Sequence, residues 1–320
     1  MAPHLIKTVP DGDYFIIEQN DEEPVEAINV LDYGSLGFVE EVRYKGSDLS
    51  FIVRKRIHLP RHKRKLRVDI VLKEATILKT MSHPHIVSLL GAYEDARQLN
   101  RSYFCLLMAP VGEADLKCFL ELAGESTLPS MHGCWVKQWF MCLSSALAYI
   151  HEHGVRHQDI KPSNIIHRGS NVYFTDFSSA GTFNPGHTTS ADTPSRSSWM
   201  YAATEIVNPT VDSSVILRHG RGSDIFALGC VFCEMLTVLT HRKVLDFHNF
   251  LRNPSNNDAD LTGLADTDTH LSTQMLYSQR LAVLPYWFKK PRFLCQYSCA
   301  NARARTYFKT NYSVCRQRHN

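Results

Sequence analysis

The chain has 320 residues, of which 44% are hydrophobic and 21% charged, and these proportions exclude a wholly disordered polymer. They suit a globular chain that buries one large core or two lobes. Nine cysteines without regular spacing indicate free thiols rather than a disulfide framework, and residues 1–7 lack the continuous apolar core of a secretory signal. We therefore expect a cytoplasmic or nuclear protein.

The net charge is only +3, but the charges are segregated along the chain. Residues 11–41 contain ten acids and no lysine or arginine, whereas residues 54–67 contain eight bases and no acid. A solvated loop is the simplest interpretation of the basic run, and an acidic substrate, a nucleic acid or a nuclear-import receptor are the alternative partners. Because no zinc module or aromatic platform accompanies this run, we predict no dedicated nucleic-acid binding.

The first predicted element is a glycine-containing turn at residues 31–39. Gly34 and Gly37 have no side chain, so the backbone N–H groups of this turn can approach phosphate groups closely. Asp32 adds a negative charge beside them, which opposes the approach of a phosphate group.

A strand and a helix follow this turn. Residues 51–57 have the composition of a strand, and its period of two places Val53 and Lys55 on one face. Residues 69–78 show a helical pattern that carries Glu74, nineteen residues after Lys55.

Three longer apolar segments come next. Residues 103–111 predict a buried strand that leads into a linker, and residues 135–150 predict an amphipathic helix that Gly154 can end. Residues 223–235 are apolar nearly all round, which is typical of a buried helix. We predict no membrane span there, because Asp224 and Glu234 interrupt the run.

The most informative segment runs from His157 to Asn164 and is followed, twelve residues later, by Asp176. Asp159 can accept the proton of an attacking hydroxyl, while Asn164 and Asp176 offer oxygen atoms to Mg²⁺. Lys161 can reach a transferring phosphoryl group and stabilise its charge in the transition state. The spacing therefore predicts a phosphoryl-transfer site that uses a nucleotide and Mg²⁺, and the resemblance described next implies that the nucleotide is ATP.

These motifs resemble the eukaryotic protein kinase superfamily, and Lys161-Pro162-Ser163-Asn164 resembles its serine/threonine branch. The resemblance runs from about Asn29 to Thr240 and implies an α+β bilobal fold, with a small N-lobe of β-sheet plus one helix and a larger, mostly helical C-lobe. It implies an N-terminal acidic extension at 1–28, an N-lobe at 29–108, a C-lobe at 109–283 and an atypical tail at 284–320.

The resemblance also implies a function and its alternatives. The first hypothesis is a protein serine/threonine kinase that transfers the γ-phosphoryl group of ATP to Ser or Thr hydroxyls of protein substrates. The second is a nucleotide-binding scaffold without turnover, and the third, disfavoured by the Lys161–Asn164 motif, is a small-molecule kinase. The sequence does not indicate an oligomeric state.

By resemblance, the site residues have specific roles. Lys55 and Glu74 form an ion pair that positions the nucleotide, and they join Asp159 and Lys161 as the catalytic group. Asp224 braces the catalytic loop, and Met108 is the gatekeeper before the hinge. The residues implied to contact the nucleotide, besides Lys55, are Leu31, Gly34, Gly37, Val39, Val53, Met108, Ala109, Val111, Asp115 and Ile166.

The end of the chain gives fewer signals. Residues 253–269 predict a polar loop, and from Leu284 the tail is aromatic, basic and cysteine-containing without a clear helical period. By resemblance, the last helices of the C-lobe should contain a tryptophan and an arginine. The arginine would pair with the glutamate at position 205. Neither can be assigned from the pattern.

Overall fold

The computed structural model describes residues 15–34, 37–45, 51–98, 101–125, 130–183, 199–207, 220–253 and 275–289. The chain divides into two compact units. Unit 1 comprises Met1–Gly112 with Thr175–Ser178, and unit 2 comprises Glu113–Phe174 with Ser179–Asn320.

Unit 1 is built on a six-stranded sheet with the strand order β1-β5-β6-β4-β3-β2. Strand β1 pairs with β5 in parallel, and the other neighbours are antiparallel. Part of this sheet comes from residues 1–28, where β1 and the start of β2 lie. The strands are β1 (Phe15–Ile17), β2 (Val25–Gly34), β3 (Gly37–Tyr44), β4 (Phe51–Leu59), β5 (Ser88–Gln98) and β6 (Arg101–Ala109).

Strand β4 and the following helix α1 (Arg64–Thr80) confirm the strand and helix predicted around Lys55 and Glu74. Helix α1 packs against β4, β5 and β6 with a face that includes Glu74 and Leu78. On the other side of the sheet, a hydrophobic cluster that includes Ile17 of β1 and Ile52 of β4 is formed mainly by strand residues. Because side chains alternate along a strand, Ile52 and Lys55 stand on opposite faces of the sheet.

Unit 2 contains two small sheets and six helices among its described residues. Strands β10, β9 and β7 form one antiparallel sheet, and β8 pairs with β11. The strands are β7 (Ala114–Asp115), β8 (Val155–Arg156), β9 (Ile165–Arg168), β10 (Asn171–Phe174) and β11 (Gly181–Thr182). The helices are α2 (Leu116–Glu125), α3 (Ser130–Glu152), α4 (Thr204–Val207), α5 (Arg221–Leu239), α6 (Val244–Arg252) and α7 (Leu284–Lys289).

Two predicted helices are confirmed as α3 and α5. Gly154 follows α3 in the left-handed region, with φ of 67°, a conformation that costs glycine little. Within the described part of the chain, α5 is long and apolar enough to span a membrane, but more than half of its apolar window is buried inside the protein. That burial is typical of a core helix, and Asp224 and Glu234 are both buried in it.

The sequence shows no helical period from Leu284 onward, yet helix α7 spans Leu284–Lys289 there. This helix has only six residues, too few to show a period in the sequence. Tertiary packing stabilises it: Trp287 is buried against Phe247 and Phe250, and the Arg242 guanidinium lies over its ring. The predicted polar loop after Asn253 and the side chain at position 205 lie outside the described residues.

Candidate functional site

Unit 1 holds one cluster of the predicted polar residues, centred on the Lys55 ammonium group. Lys55 Nζ donates to Glu74 Oε1 at 2.8 Å and Oε2 at 3.0 Å, and to Asp176 Oδ1 at 2.8 Å. Strand β4 carries Lys55, helix α1 carries Glu74, and residues 175–178 bring Asp176 into the same unit. One cation is therefore shared by two carboxylates.

Burial affects the two partners of this pair differently. Burial alone would lower the pKa of Lys55, but Glu74 and Asp176 outweigh it and raise that pKa above its ordinary value. Burial raises the pKa of Glu74, against the opposing effect of Lys55, since the Glu74 side chain is only 1% exposed. Lys55 therefore keeps its charge throughout the physiological range.

The sheet register places several predicted nucleotide contacts on the face that carries Lys55. Val39 is paired with Lys55 across β3 and β4, and Val53 is paired with Met108 across β4 and β6. Since Val53 and Lys55 are two residues apart on one strand, all four side chains share a face. Leu31 is half-buried in β2, and Ala109 ends β6 one residue before Pro110, with Val111 next.

The two glycines of the predicted phosphate turn differ in whether packing leaves space for a side chain. A Cβ atom at Gly37 would lie 1.7 Å from the Arg56 carbonyl oxygen, so this position must be glycine for β3 and β4 to pair. A Cβ atom at Gly34 would meet nothing closer than 3.7 Å. Packing therefore explains Gly37 and leaves Gly34 to another cause, consistent with the close phosphate approach that the sequence predicts.

Unit 2 holds the second cluster, on the loop between β8 and β9. Asp159 Oδ2 accepts hydrogen bonds from Lys161 Nζ at 2.8 Å and from Asn164 Nδ2 at 2.9 Å. The same Nδ2 atom donates to the Asp159 carbonyl oxygen at 2.8 Å. With its amino group turned toward Asp159, Asn164 presents its amide oxygen as an acceptor elsewhere.

Asp224 of α5 holds the backbone of this loop. Its carboxylate accepts from the N–H groups of His157 at 2.9 Å and Gln158 at 2.8 Å. Gln158 has a φ of 63°, which costs a residue with a Cβ atom about 1–2 kcal/mol, and the two bonds offset that cost. The bracing predicted for Asp224 is present, and it orients the residue next to Asp159.

Two other predicted nucleotide contacts lie nearby in unit 2. Asp115 of β7 is paired with Ile166 of β9, so both positions are fixed by the same small sheet. Asp115 Oδ1 also accepts from the Cys118 N–H at 2.7 Å and caps helix α2. This capping contact was not predicted, although an aspartate before a helical segment is a recognised signal for it.

Sequence reasoning missed two polar partnerships of unit 2. His151 Nε2 lies 3.0 Å from Asp224 Oδ2, at the end of α3. Glu234 Oε1 accepts from the hydroxyls of Tyr201 and Tyr277, each at 2.8 Å. The only signal in the sequence was a carboxylate inside an apolar helix, which indicates a buried partner without naming it.

Comparison with known proteins identifies the family. The family model described as "Protein kinase domain" matches residues 26–256, more than two-thirds of the chain. The chain belongs to the eukaryotic protein kinase superfamily. The predicted α+β fold, with a sheet-rich N-lobe and a mostly helical C-lobe, is therefore confirmed for this kinase.

Several curated kinases are similar to this kinase along part of its length. It is 31% identical over 229 residues to Protein kinase 2 of Dictyostelium discoideum, covering 68% of this chain and 41% of that protein. It is 30% identical over 181 residues to Serine/threonine-protein kinase PKH3 of Saccharomyces cerevisiae, covering 53% and 19%. It is 27% identical over 217 residues to Cyclin-dependent kinase-like 4 of Mus musculus, covering 67% and 57%. This kinase thus spans less than two-thirds of each of these relatives.

Proposed function

We propose that this kinase is catalytically active and transfers the γ-phosphoryl group of ATP to Ser or Thr hydroxyls of protein substrates. The observation that supports this most is the shared bonding of Lys55 Nζ by Glu74 and Asp176. A lysine held at a fixed position keeps its charge ready for nucleotide phosphates without a rearrangement during the reaction. The names of several relatives, including PKH3, agree with the serine/threonine class.

The residues of the loop in unit 2 supply the proton chemistry of the proposal. A bond forms between the substrate hydroxyl oxygen and the γ-phosphorus, the bond from that phosphorus to the bridging oxygen breaks, and the hydroxyl proton goes to the Asp159 carboxylate. Lys161, 2.8 Å from Asp159 Oδ2, fixes that carboxylate and adds positive charge beside it. Asp224 limits the movement of the loop through its two backbone bonds.

The residue types proposed as metal ligands suit a magnesium ion. Mg²⁺ prefers oxygen ligands, and Asn164 presents an amide oxygen while Asp176 has a carboxylate. We propose these two residues as the ion's ligands from the protein. When bound with ATP, Mg²⁺ neutralises charge on the phosphates.

A nucleotide-binding scaffold without turnover is the alternative function. Asp32, exposed on β2 within the predicted phosphate turn, is the observation that favours it, because its carboxylate repels phosphate. Both functions require nucleotide binding, so only a measurement of turnover separates them.

The test is Mg²⁺-ATP-dependent phosphate transfer to a Ser/Thr-rich acceptor protein, comparing the wild type with Asp159→Asn. This substitution preserves shape and removes the base, so we expect transfer to fall by about 10²–10⁴-fold. Asp246→Asn, the same change at an exposed position of α6, is the matched control and should leave the rate unchanged. A folded wild type that binds ATP without transferring phosphate would establish the scaffold instead.

We propose a cytoplasmic or nuclear location for this kinase, with protein substrates as its partners. The support is that the cysteines in the described part of the chain form no disulfide, which suits a reducing compartment. Imaging of a fluorescent fusion checks this, and accumulation in a secretory compartment would contradict it.

A further inference from the structure

The sheet of unit 1 carries a cavity whose lining includes side chains of the face opposite to Lys55. It is open to solvent, has a volume of about 610 Å³ and is lined by residues that include Phe38, His58 and Tyr103. His58 is three residues from Lys55 along β4, and it is paired with Tyr103 on β6, so both side chains point away from the Lys55 face. The volume lies in the range of sites that hold ligands. Of the nucleotide contacts predicted from the sequence, Gly37 also lines this cavity.

The charged groups that line this cavity all carry, or can carry, positive charge. They are His58, Arg67 and Arg101, and no carboxylate belongs to the lining. Other arginines of unit 1 have acidic partners: Arg56 Nη2 lies 2.9 Å from Asp95, and Arg64 Nη2 lies 2.6 Å from Glu94. In the part of the chain that the structure describes, no ion pair joins Arg67 or Arg101 to a carboxylate. The lining therefore has the opposite charge to an acidic ligand.

The positive surface continues beyond the cavity along the turn that leads into α1. Arg61, Lys63 and Lys65 are exposed, and the first turn of α1 contains no acid. A helix normally places acids there, because its N-terminal end has a partial positive charge. A run of bases at this end is unfavourable for the isolated chain, and an acidic partner would relieve the repulsion.

The aromatic residues give the cavity a fixed floor and one accessible edge. The Tyr103 ring lies 6.0 Å from Phe38 and 4.4 Å from the Arg56 guanidinium, measured between centroids and to the guanidinium carbon. Tyr33 at the edge is 64% exposed, with its ring 6.2 Å from Phe38. A single exposed ring suits one apolar side chain within an acidic segment. Nucleic-acid strands instead stack successive bases on several exposed rings.

We propose that this cavity, with the basic turn before α1, is a docking site for an acidic peptide segment of a partner or substrate protein. Carboxylates of the segment pair with Arg67 and Arg101, and an apolar residue contacts Tyr33. The proposal concerns binding, so it holds whether or not the chain transfers phosphate. The side chains of Phe38, His58 and Tyr103 stand on the opposite side of the sheet from Lys55, so a segment docked on them does not occupy the Lys55 centre.

The test measures fluorescence anisotropy of a labelled peptide in which Glu and Asp flank one Phe, titrated with the whole chain. We expect Arg67→Gln with Arg101→Gln to weaken binding by about tenfold or more, and Tyr33→Ser to weaken it less. The matched control changes Arg168 and Arg252, two exposed arginines of unit 2, to Gln and should retain wild-type affinity. Melting temperatures establish that each variant is folded.

The outcomes that overturn the proposal are distinct. Equal weakening in the control pair would indicate only general attraction between opposite charges. A peptide with Lys in place of Glu and Asp that binds as tightly would exclude charge recognition. A labelled single-stranded DNA that binds more tightly than the peptide and is lost in the Arg67/Arg101 variant would assign the surface to nucleic acid. Wild-type affinity in that variant would remove the cavity from the binding site.

Discussion

Lys55 and Arg54 are neighbours on β4, yet they belong to two charge clusters of different character. Lys55 is shared by Glu74 and Asp176, and the Asp176 side chain is 37% exposed. Arg54 is 2% exposed and bonds to Glu40 at 2.8 Å, to Glu23 and to Tyr93.

Further cations distinguish the cluster on the Arg54 face. Arg97 Nη2 lies 2.7 Å from Glu23, and Asp95 pairs with both Arg97 and Arg56, so three arginines balance three carboxylates. The Lys55 cluster has one cation for two carboxylates and an opening to solvent. The comparison indicates that the balanced Arg54 cluster stabilises the fold. The Lys55 cluster has one carboxylate in excess and is open to solvent, so it can attract a further cation.

The largest effect that we expect comes from breaking the Arg54 cluster with Arg54→Met. The substitution leaves the buried Glu40 carboxylate without its partner, and we expect the free energy of unfolding to fall by about 3–5 kcal/mol. Urea denaturation measures this. Arg43→Met, which removes an exposed pair with Glu26 on the same sheet, is the control and should cost less than about 1 kcal/mol. Equal losses in the two variants would show that Arg54 is not structural.

The matching substitution on the other face, Lys55→Met, should affect turnover more than stability. We expect kcat/KM for phosphate transfer to fall by about 10²–10³-fold, because a fixed positive charge at the phosphates is removed. The fold should survive, since Glu74 has a raised pKa and can take up a proton when its partner is lost. Lys73→Met, at an exposed position of α1, serves as the control. A folded Lys55→Met variant with wild-type turnover would separate Lys55 from the reaction.

The sequence predicted the Lys55–Glu74 pair because its signals are local, but it did not predict the bond from Lys55 to Asp176, which is 121 residues away. The period of two on β4, the helical pattern of α1 and the spacing of nineteen residues place Lys55 and Glu74 on elements whose type could be assigned separately. The contacts within the loop from His157 to Asn164 join residues that are even closer in sequence than Lys55 and Glu74, so they depend on few dihedral angles. The geometry of such short motifs depends mainly on the local sequence and less on how distant parts of the chain pack.

The Arg54 cluster and the tail could not be predicted, because they depend on long-range packing. Arg54 meets Glu23 and Tyr93, 31 and 39 residues away, only once β1 and β5 have joined the sheet. Strand β1 has three residues, too short for an alternating pattern. Helix α7 likewise depends on tertiary packing, through the burial of Trp287, and has no pattern of its own in the sequence. Pairing partners at these distances leave no periodic trace in the sequence.

The smallest effect, and the sharpest distinction between the faces, concerns pH. Burial raises the pKa of Glu74 on the Lys55 face. On the Arg54 face burial alone would raise the pKa of Asp95, but hydrogen bonds from Arg97 outweigh it and lower that pKa. The two carboxylates therefore contribute to stability with opposite dependence on pH.

Glu74 binds a proton more tightly in the folded chain than in the unfolded one. Its contribution to the free energy of unfolding therefore falls as pH rises from the ordinary carboxyl pKa through its raised value, and Glu74→Gln should lack this fall. Asp95 contributes stability above its ordinary pKa, and this is lost as pH falls toward its lowered value, so Asp95→Asn should lack that loss.

Urea denaturation between about pH 3 and pH 7 measures both profiles. The double variant should lack both features, and it controls for a general effect of removing a carboxylate. If both single substitutions changed the pH dependence of the free energy of unfolding in the same direction, the predicted opposite contributions of Glu74 and Asp95 would be contradicted. That result would mean that the Lys55 face is as fully balanced by its own charges as the Arg54 face, which would remove the electrostatic reason for a further ligand to bind there.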